Sequence, residues 1–232
     1  MRSALILAVT LGVAVGAAQS PVLAQGSRIV DEGSFTISVG GRTAGRENFR
    51  ITATAAGEVT EYSARADVTF GDRKVTPELR TGAQGAVMEY GVTTRSGGSI
   101  ESWTGALAQG RLNAKIKSGR STAAREYVVP AGTVLLDDET IHQHWFLVLR
   151  ARSGSIPVVV PRRTNVQATI TMATVGEETL KVGNHDLPAT HLRATVGDGD
   201  VRDIWVDKTG RLLKVAIPAR DLVALRDDPP PA

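Results

Sequence analysis

The densest group of chemically capable side chains in the sequence is Asp137, Asp138, Glu139, His142 and His144. Carboxylates and imidazoles are proper ligands for zinc and other transition metals. On a strand, His142 and His144 would point to one side and share an ion. The surrounding pattern reads as a helix instead, where residues two apart diverge by about 200°. The carboxylates are then accounted for as caps and as favourable partners of the helix dipole. This reading predicts no metal and no other cofactor.

The remaining histidines give no stronger catalytic signal. His185 lies in the turn sequence Gly183-Asn184-His185-Asp186, and His191 shares a polar strand face with Arg193 and Thr195. Asp186 and Asp203 offer carboxylates, yet no spacing ties either pair to a nucleophile. The sequence has no Gly-x-Ser-x-Gly elbow, no His-Glu-x-x-His, no phosphate loop ending in Gly-Lys-Ser/Thr, and no cysteine. Gly197-Asp198-Gly199-Asp200 resembles a calcium or nucleotide loop but lacks the third glycine and the distal glutamate. It falls between two alternating segments and reads as a hairpin turn. The expectation is a protein that is not an enzyme.

Charge and aromatic placement point to binding. No acid occurs between Glu101 and Glu126, while Arg111, Lys115, Lys117, Arg120 and Arg125 fall there. Arg111, Asn113, Lys115 and Lys117 alternate with Leu112, Ala114 and Ile116, which puts the cations on one side of a strand. Such a strip suits anionic headgroups or polysaccharide, or protects an edge strand against pairing with another sheet. Trp103, Trp145 and Trp205 are large anchors in a chain with only 4% aromatic residues. They are read as candidate walls of an apolar cavity, with Lys115 and Lys117 as candidate headgroup contacts.

The elements that must position these residues are mainly strands. Phe35, Ile37 and Val39 alternate with Ser34, Thr36 and Ser38, and Gly40-Gly41 then punctuates. Tyr62, Ala64, Ala66, Val68 and Phe70 repeat the pattern before Gly71-Asp72. Similar runs cover 86–94, 99–106, 111–118, 125–129, 156–160, 166–172, 178–182, 189–196, 201–206 and 211–217. Period-two alternation between short turns predicts a long antiparallel meander of about a dozen strands with one wet and one buried face. A meander this long must curl around a core or a ligand space. One segment breaks the pattern: Ile141, Trp145, Val148 and Leu149 have helical spacing after the acidic run, which predicts one short covering helix near 138–151. Trp103 before Gly110-Arg111-Leu112 and Trp205 before Gly210-Arg211-Leu212 echo each other, as an old duplication or a recurring hairpin solution would.

Composition fixes the class. The 232 residues are 42% hydrophobic and 22% charged, enough to bury a substantial core. The 27 basic and 24 acidic residues nearly balance, which argues against a dedicated nucleic-acid binder. Arg2, the apolar run 4–18, Pro21 and Val22-Leu23-Ala24 read as a signal peptide spanning 1–24, with cleavage after Ala24. The run is short of the roughly 20 residues a membrane anchor needs. The expected product is periplasmic or secreted and soluble after leader removal, with no transmembrane segment: one β-rich domain over 25–226, and a disordered Pro-rich tail over 227–232.

A family resemblance rests on Gly33-Ser34-Phe35-Thr36-Ile37, Gly40, Gly45-Arg46-Glu47-Asn48-Phe49, the helix around Trp145, and Ile204-Trp205-Val206-Asp207-Lys208-Thr209-Gly210-Arg211-Leu212. These segments resemble uncharacterised exported bacterial β-rich families that are in turn similar to the outer-membrane lipoprotein carriers (the LolA/LolB-like superfamily). The resemblance implies a highly curved antiparallel sheet, a half-open barrel with a helical cover and an apolar concavity. In the carriers that concavity holds acyl chains. The sequence-level expectation is an exported, non-enzymatic envelope protein that binds a lipid, an acyl chain or another hydrophobic ligand in the concavity of its sheet. The alternative is a structural or interaction module that binds an envelope protein through a sheet face or edge.

Overall fold

The computed structural model describes residues 26–163, 166–197 and 199–231. The segment read as a leader lies outside them. The described residues form one sheet of fifteen strands. β1 (Ser27–Val39), β2 (Arg42–Ala56), β3 (Val59–Phe70), β4 (Arg73–Thr81), β5 (Val87–Ser96), β6 (Ser99–Ala108), β7 (Arg111–Ser118) and β8 (Ser121–Val128) make the first meander. β9 (Val134–Leu135), β10 (Gly154–Val159), β11 (Gln167–Val182), β12 (His185–Val196), β13 (Val201–Val206), β14 (Leu212–Ile217) and β15 (Leu222–Arg226) make the second. The two join where β1 pairs antiparallel with β15, giving an order that runs from β8 through β1 and β15 to β9. Every pairing is antiparallel except β9 with β10.

Alternation decides which face is buried. Phe35 and Ile37 on β1, Phe49 and Ile51 on β2, Ala64, Ala66 and Val68 on β3, and Tyr90 and Val92 on β5 all face one core. Two-residue hairpins hold the register: Gly40 and Gly41 between β1 and β2 both have positive φ, the conformation a type I′ turn needs. The sheet does not close, since β8 and β9 sit at its two ends. The β8 edge nevertheless approaches the second meander: Gln167 at the start of β11, two strands in from β9, donates to the Val128 carbonyl on β8. A sheet whose one edge meets a later strand across a hydrogen bond without pairing is rolled, with a seam between β8 and the start of β11.

The crossover from β8 to β10 fills the roll. It carries the single α-helix among the described residues, α1 (His144–Arg150), whose Phe146 and Leu147 are fully buried. The helix is shorter than the predicted 138–151. The amides of Ile141 and His142 are capped by Glu47 of β2, which accepts from them at 2.6 and 2.7 Å. The acidic run is instead a turn, in which Asp137 accepts from the Glu139 amide. Its carboxylates face arginines rather than helix amides.

Three more differences have local causes. β4 escaped prediction because Pro77 sits in it without an amide to donate, and its pairing with β3 is interrupted between Arg65–Glu78 and Val68–Val75. The runs 166–172 and 178–182 are one strand, β11, with a register shift between Thr174 and Gly176. The segment after Arg226, predicted as a disordered tail, has no regular secondary structure but is tethered. Asp227 accepts from the Ser34 and Thr36 hydroxyls at 2.5 and 2.6 Å, and Arg211 donates to the Pro231 carbonyl.

Candidate functional site

The seam is where the sheet interior opens. On the first meander the register lines up Val92, Trp103, Ile116 and Ala123 across β5, β6, β7 and β8. A neighbouring row runs Tyr90, Gly105, Ala114, Arg125. The two small residues leave room beside Trp103, whose indole occupies the space over Gly105. Facing these rows across the gap are Arg162, Arg163, Val166 and Gln167, just before and at the start of β11. The cleft between them holds about 640 Å³, within the range of small-molecule sites.

Its chemistry is divided. Val92, Trp103, Ile116, Tyr127 and Val166 form apolar wall, and Thr94, Glu101, Ser118 and Gln167 add hydrogen-bonding groups. Glu101 already accepts from the Ser118 hydroxyl at 2.8 Å. Arg125 lines the cleft with no carboxylate partner among the described residues; its one hydrogen bond is to the Ala124 carbonyl. Arg162 and Arg163 are committed elsewhere. Arg162 pairs with Asp137 and Glu139 and donates to Thr94 at 3.0 Å. Arg163 pairs with Asp138 and with Asp200.

Behind the cleft the acidic turn forms a buried network. Asp138 also meets Arg202 and Arg220. Burial alone would raise its carboxyl, but hydrogen bonds and charge from Arg163, Arg202 and Arg220 prevail and hold it well below the usual carboxylate range. Tyr90 donates to Asp137 at 2.6 Å, and burial together with that carboxylate pushes its phenol well above the ordinary value. His144 is pushed down to about 3 by burial and by the Arg202 charge. It is therefore neutral, with Nδ1–H donating to the Ile141 carbonyl at 2.9 Å and Nε2 accepting from Arg202 at 3.1 Å. His142 sits 3.0 Å from Glu47 through Nδ1 and stacks on Phe49. The two histidines thus serve separate partners. Among the described residues no three His, Cys, Asp or Glu side chains are grouped to hold a metal ion.

The sequence-predicted binding residues separate. Trp103 is in the cleft wall. Trp145 lies in the core, edge-on to Tyr62 at 5.3 Å and to Phe146 at 5.0 Å, and borders none of the cavities described. Trp205 faces the opposite side of the sheet in a small cluster with Val182, Ala189 and Leu213. It stacks on His191 at 4.4 Å, with Lys214 over the ring. Trp103 and Trp205 therefore occupy opposite faces, which makes their sequence echo two hairpins of similar design rather than equivalent positions. Lys115 borders a shallow charged groove on the outer face with Arg65, Arg80 and Glu89. Lys117 springs from the same side of β7 and is among the residues that line the cleft. The cation facing inward is Arg125, which alternation along β8 with the half-buried Ala123 and Tyr127 reveals.

Compared with protein-family models, with curated proteins and with solved structures, the chain matches none of them.

Proposed function

We propose that the protein is a non-enzymatic carrier or receptor for an amphipathic molecule, an acyl chain with an acidic head, held in the seam cleft. The observation that carries this is the seam cleft itself, about 640 Å³ whose partly exposed apolar wall is Ile116, Tyr127 and Val166, backed by the buried Val92 and Trp103. Apolar burial against Ile116, Tyr127 and Val166 supplies affinity at roughly 25 cal/mol per Å² before ordering costs. Arg125 supplies the charge that a carboxylate or phosphate head would meet. With the leader read from residues 1–24, the cell envelope is the proposed place of action.

Native mass spectrometry of the protein purified from its own source, followed by organic extraction, tests the reading. A stoichiometric bound acyl lipid is the expected result. A clean apo mass, with no uptake of added dodecanoate or phospholipid, overturns it.

One observation favours a second reading. β8 ends the sheet and is exposed along most of its length, and an extended segment of an envelope protein could add to it as a further strand. Protection of β8 amides by a partner, with the cleft still empty, would select this reading.

A further inference from the structure

A second cavity lies at the other side of the acidic turn, between the ends of β1, β3 and β4. It holds about 270 Å³ and is lined by Ile37, Val39, Val68, Val75, Ile141 and Leu222. Phe70, partly exposed, borders it as well. Two ion pairs stand among its lining residues. Arg73 meets Glu139 at 2.6 Å, and Arg220 meets Asp138 at 2.8 Å. Every charge on the lining is thus matched within it, and the remaining walls offer no hydrogen-bonding side chain.

We propose that this cavity is a binding site for a small uncharged apolar molecule, of the size of a monocyclic arene or a short alkyl group. The inference does not rest on the reading of the seam cleft. An enclosed, wholly apolar cavity of about 150 Å³ stays dry and accepts benzene; here the wall of Ile37, Val39, Val68, Val75, Ile141 and Leu222 offers an arene comparable apolar contact, while the two ion pairs and the opening beside Phe70 admit water that the ligand must displace. An anion gains little here, because a carboxylate would compete with Asp138 and Glu139 for Arg220 and Arg73. The same turn links the two cavities: Asp138 and Glu139 also hold Arg163 and Arg162, which line the seam cleft.

The test uses methyl-labelled protein and titration with benzene, followed by benzoate. Saturable shifts of the Ile37, Val68, Val75 and Ile141 methyls with benzene are expected, with benzoate at least tenfold weaker. Val68→Trp, which fills the cavity, is expected to weaken benzene binding at least tenfold, whereas Thr104→Trp, at an exposed position of β6, leaves it unchanged. Val39→Trp, at a half-buried strand end, provides the same test if Val68→Trp does not fold. Absence of saturable shifts up to the solubility of benzene, equal binding of benzoate, or equal binding by the filled variants would overturn the proposal.

Discussion

Arg202 donates through Nη1 to Nε2 of His144 across 3.1 Å, with both side chains buried. A guanidinium beside an imidazole enforces the neutral ring, and burial acts in the same direction, so the folded protein holds this histidine deprotonated down to about pH 3. In the unfolded chain the ring takes up a proton near pH 6.5. Between those values the unfolded state binds one more proton, so stability falls as the pH falls through the window, by up to about 5 kcal/mol. Asp138 has the opposite origin and a lower window. Its depressed carboxyl contributes stability that is complete above the ordinary carboxylate range and is lost only as pH drops below about 4. Urea midpoints measured from pH 7 to 4.5 should therefore fall in the parent and stay nearly level in His144→Gln, whose amide oxygen can still accept from Arg202. Parallel slopes in the two proteins would show that His144 is not the group responsible.

A second buried pair ties the first and last strands of the sheet's sequence together. Arg226 on β15 and Asp31 on β1 form two hydrogen bonds of 2.9 and 3.0 Å, with both side chains about 1% exposed. Arg226 also donates to the Leu212 and Glu32 carbonyls and lies over Phe49. Arg226→Leu leaves a carboxylate buried without its partner, so a loss of about 3–5 kcal/mol is expected. Arg226→Leu with Asp31→Leu should regain part of that loss, because the stranded charge is gone. Chemical denaturation of both variants checks this, and a double variant no more stable than the single would contradict it.

Trp103 dictates the residue two places along its strand. A Cβ on Gly105 would lie 2.5 and 2.6 Å from ring atoms of Trp103, and the backbone there is outside the left-handed region, so the demand for glycine is steric. Gly105→Ala should displace the indole from the cleft wall at a cost of about 1–3 kcal/mol. In a Trp145→Phe, Trp205→Phe background, Trp103 emission should shift to the red and added dodecanoate should bind at least tenfold more weakly. Unchanged emission would mean that the ring already lies elsewhere.

Strands were legible where side chains alternate, because a sheet with one buried face writes its period into the chain. β3 and β12 are examples. β4 was hidden by Pro77 and β9 by its two-residue length. The early start predicted for α1 failed for a different reason. The group that caps its approach is Glu47, 94 residues from Ile141, and no local pattern announces so distant a partner. The same limit applies to the site. The cations of β7 looked like the binding face, but alternation says only that residues share a side, not which side faces the roll. Trp103 could be chosen from its type, while Trp145 and Trp205, equally conspicuous, were assigned by tertiary packing to the core and to the outer face.

The charge in the cleft gives the sharpest test of ligand class. Arg125 lies on the inner face of β8 opposite Ala114, two small side chains away from the ring of Tyr90, and meets no carboxylate among the described residues. It is well exposed, so a ligand head gains a solvent-screened hydrogen-bonded ion pair worth on the order of 1 kcal/mol or a little more. Arg125→Gln should therefore weaken dodecanoate by about five- to tenfold and leave dodecanol, which has the same chain and no charge, within twofold. The weakening should shrink as salt rises, since the pair is open to screening. Isothermal titration at low and high ionic strength reads both effects. Equal losses for the acid and the alcohol would show that Arg125 shapes the cleft rather than reading the head, and no loss for either would place the acyl chain somewhere other than the seam.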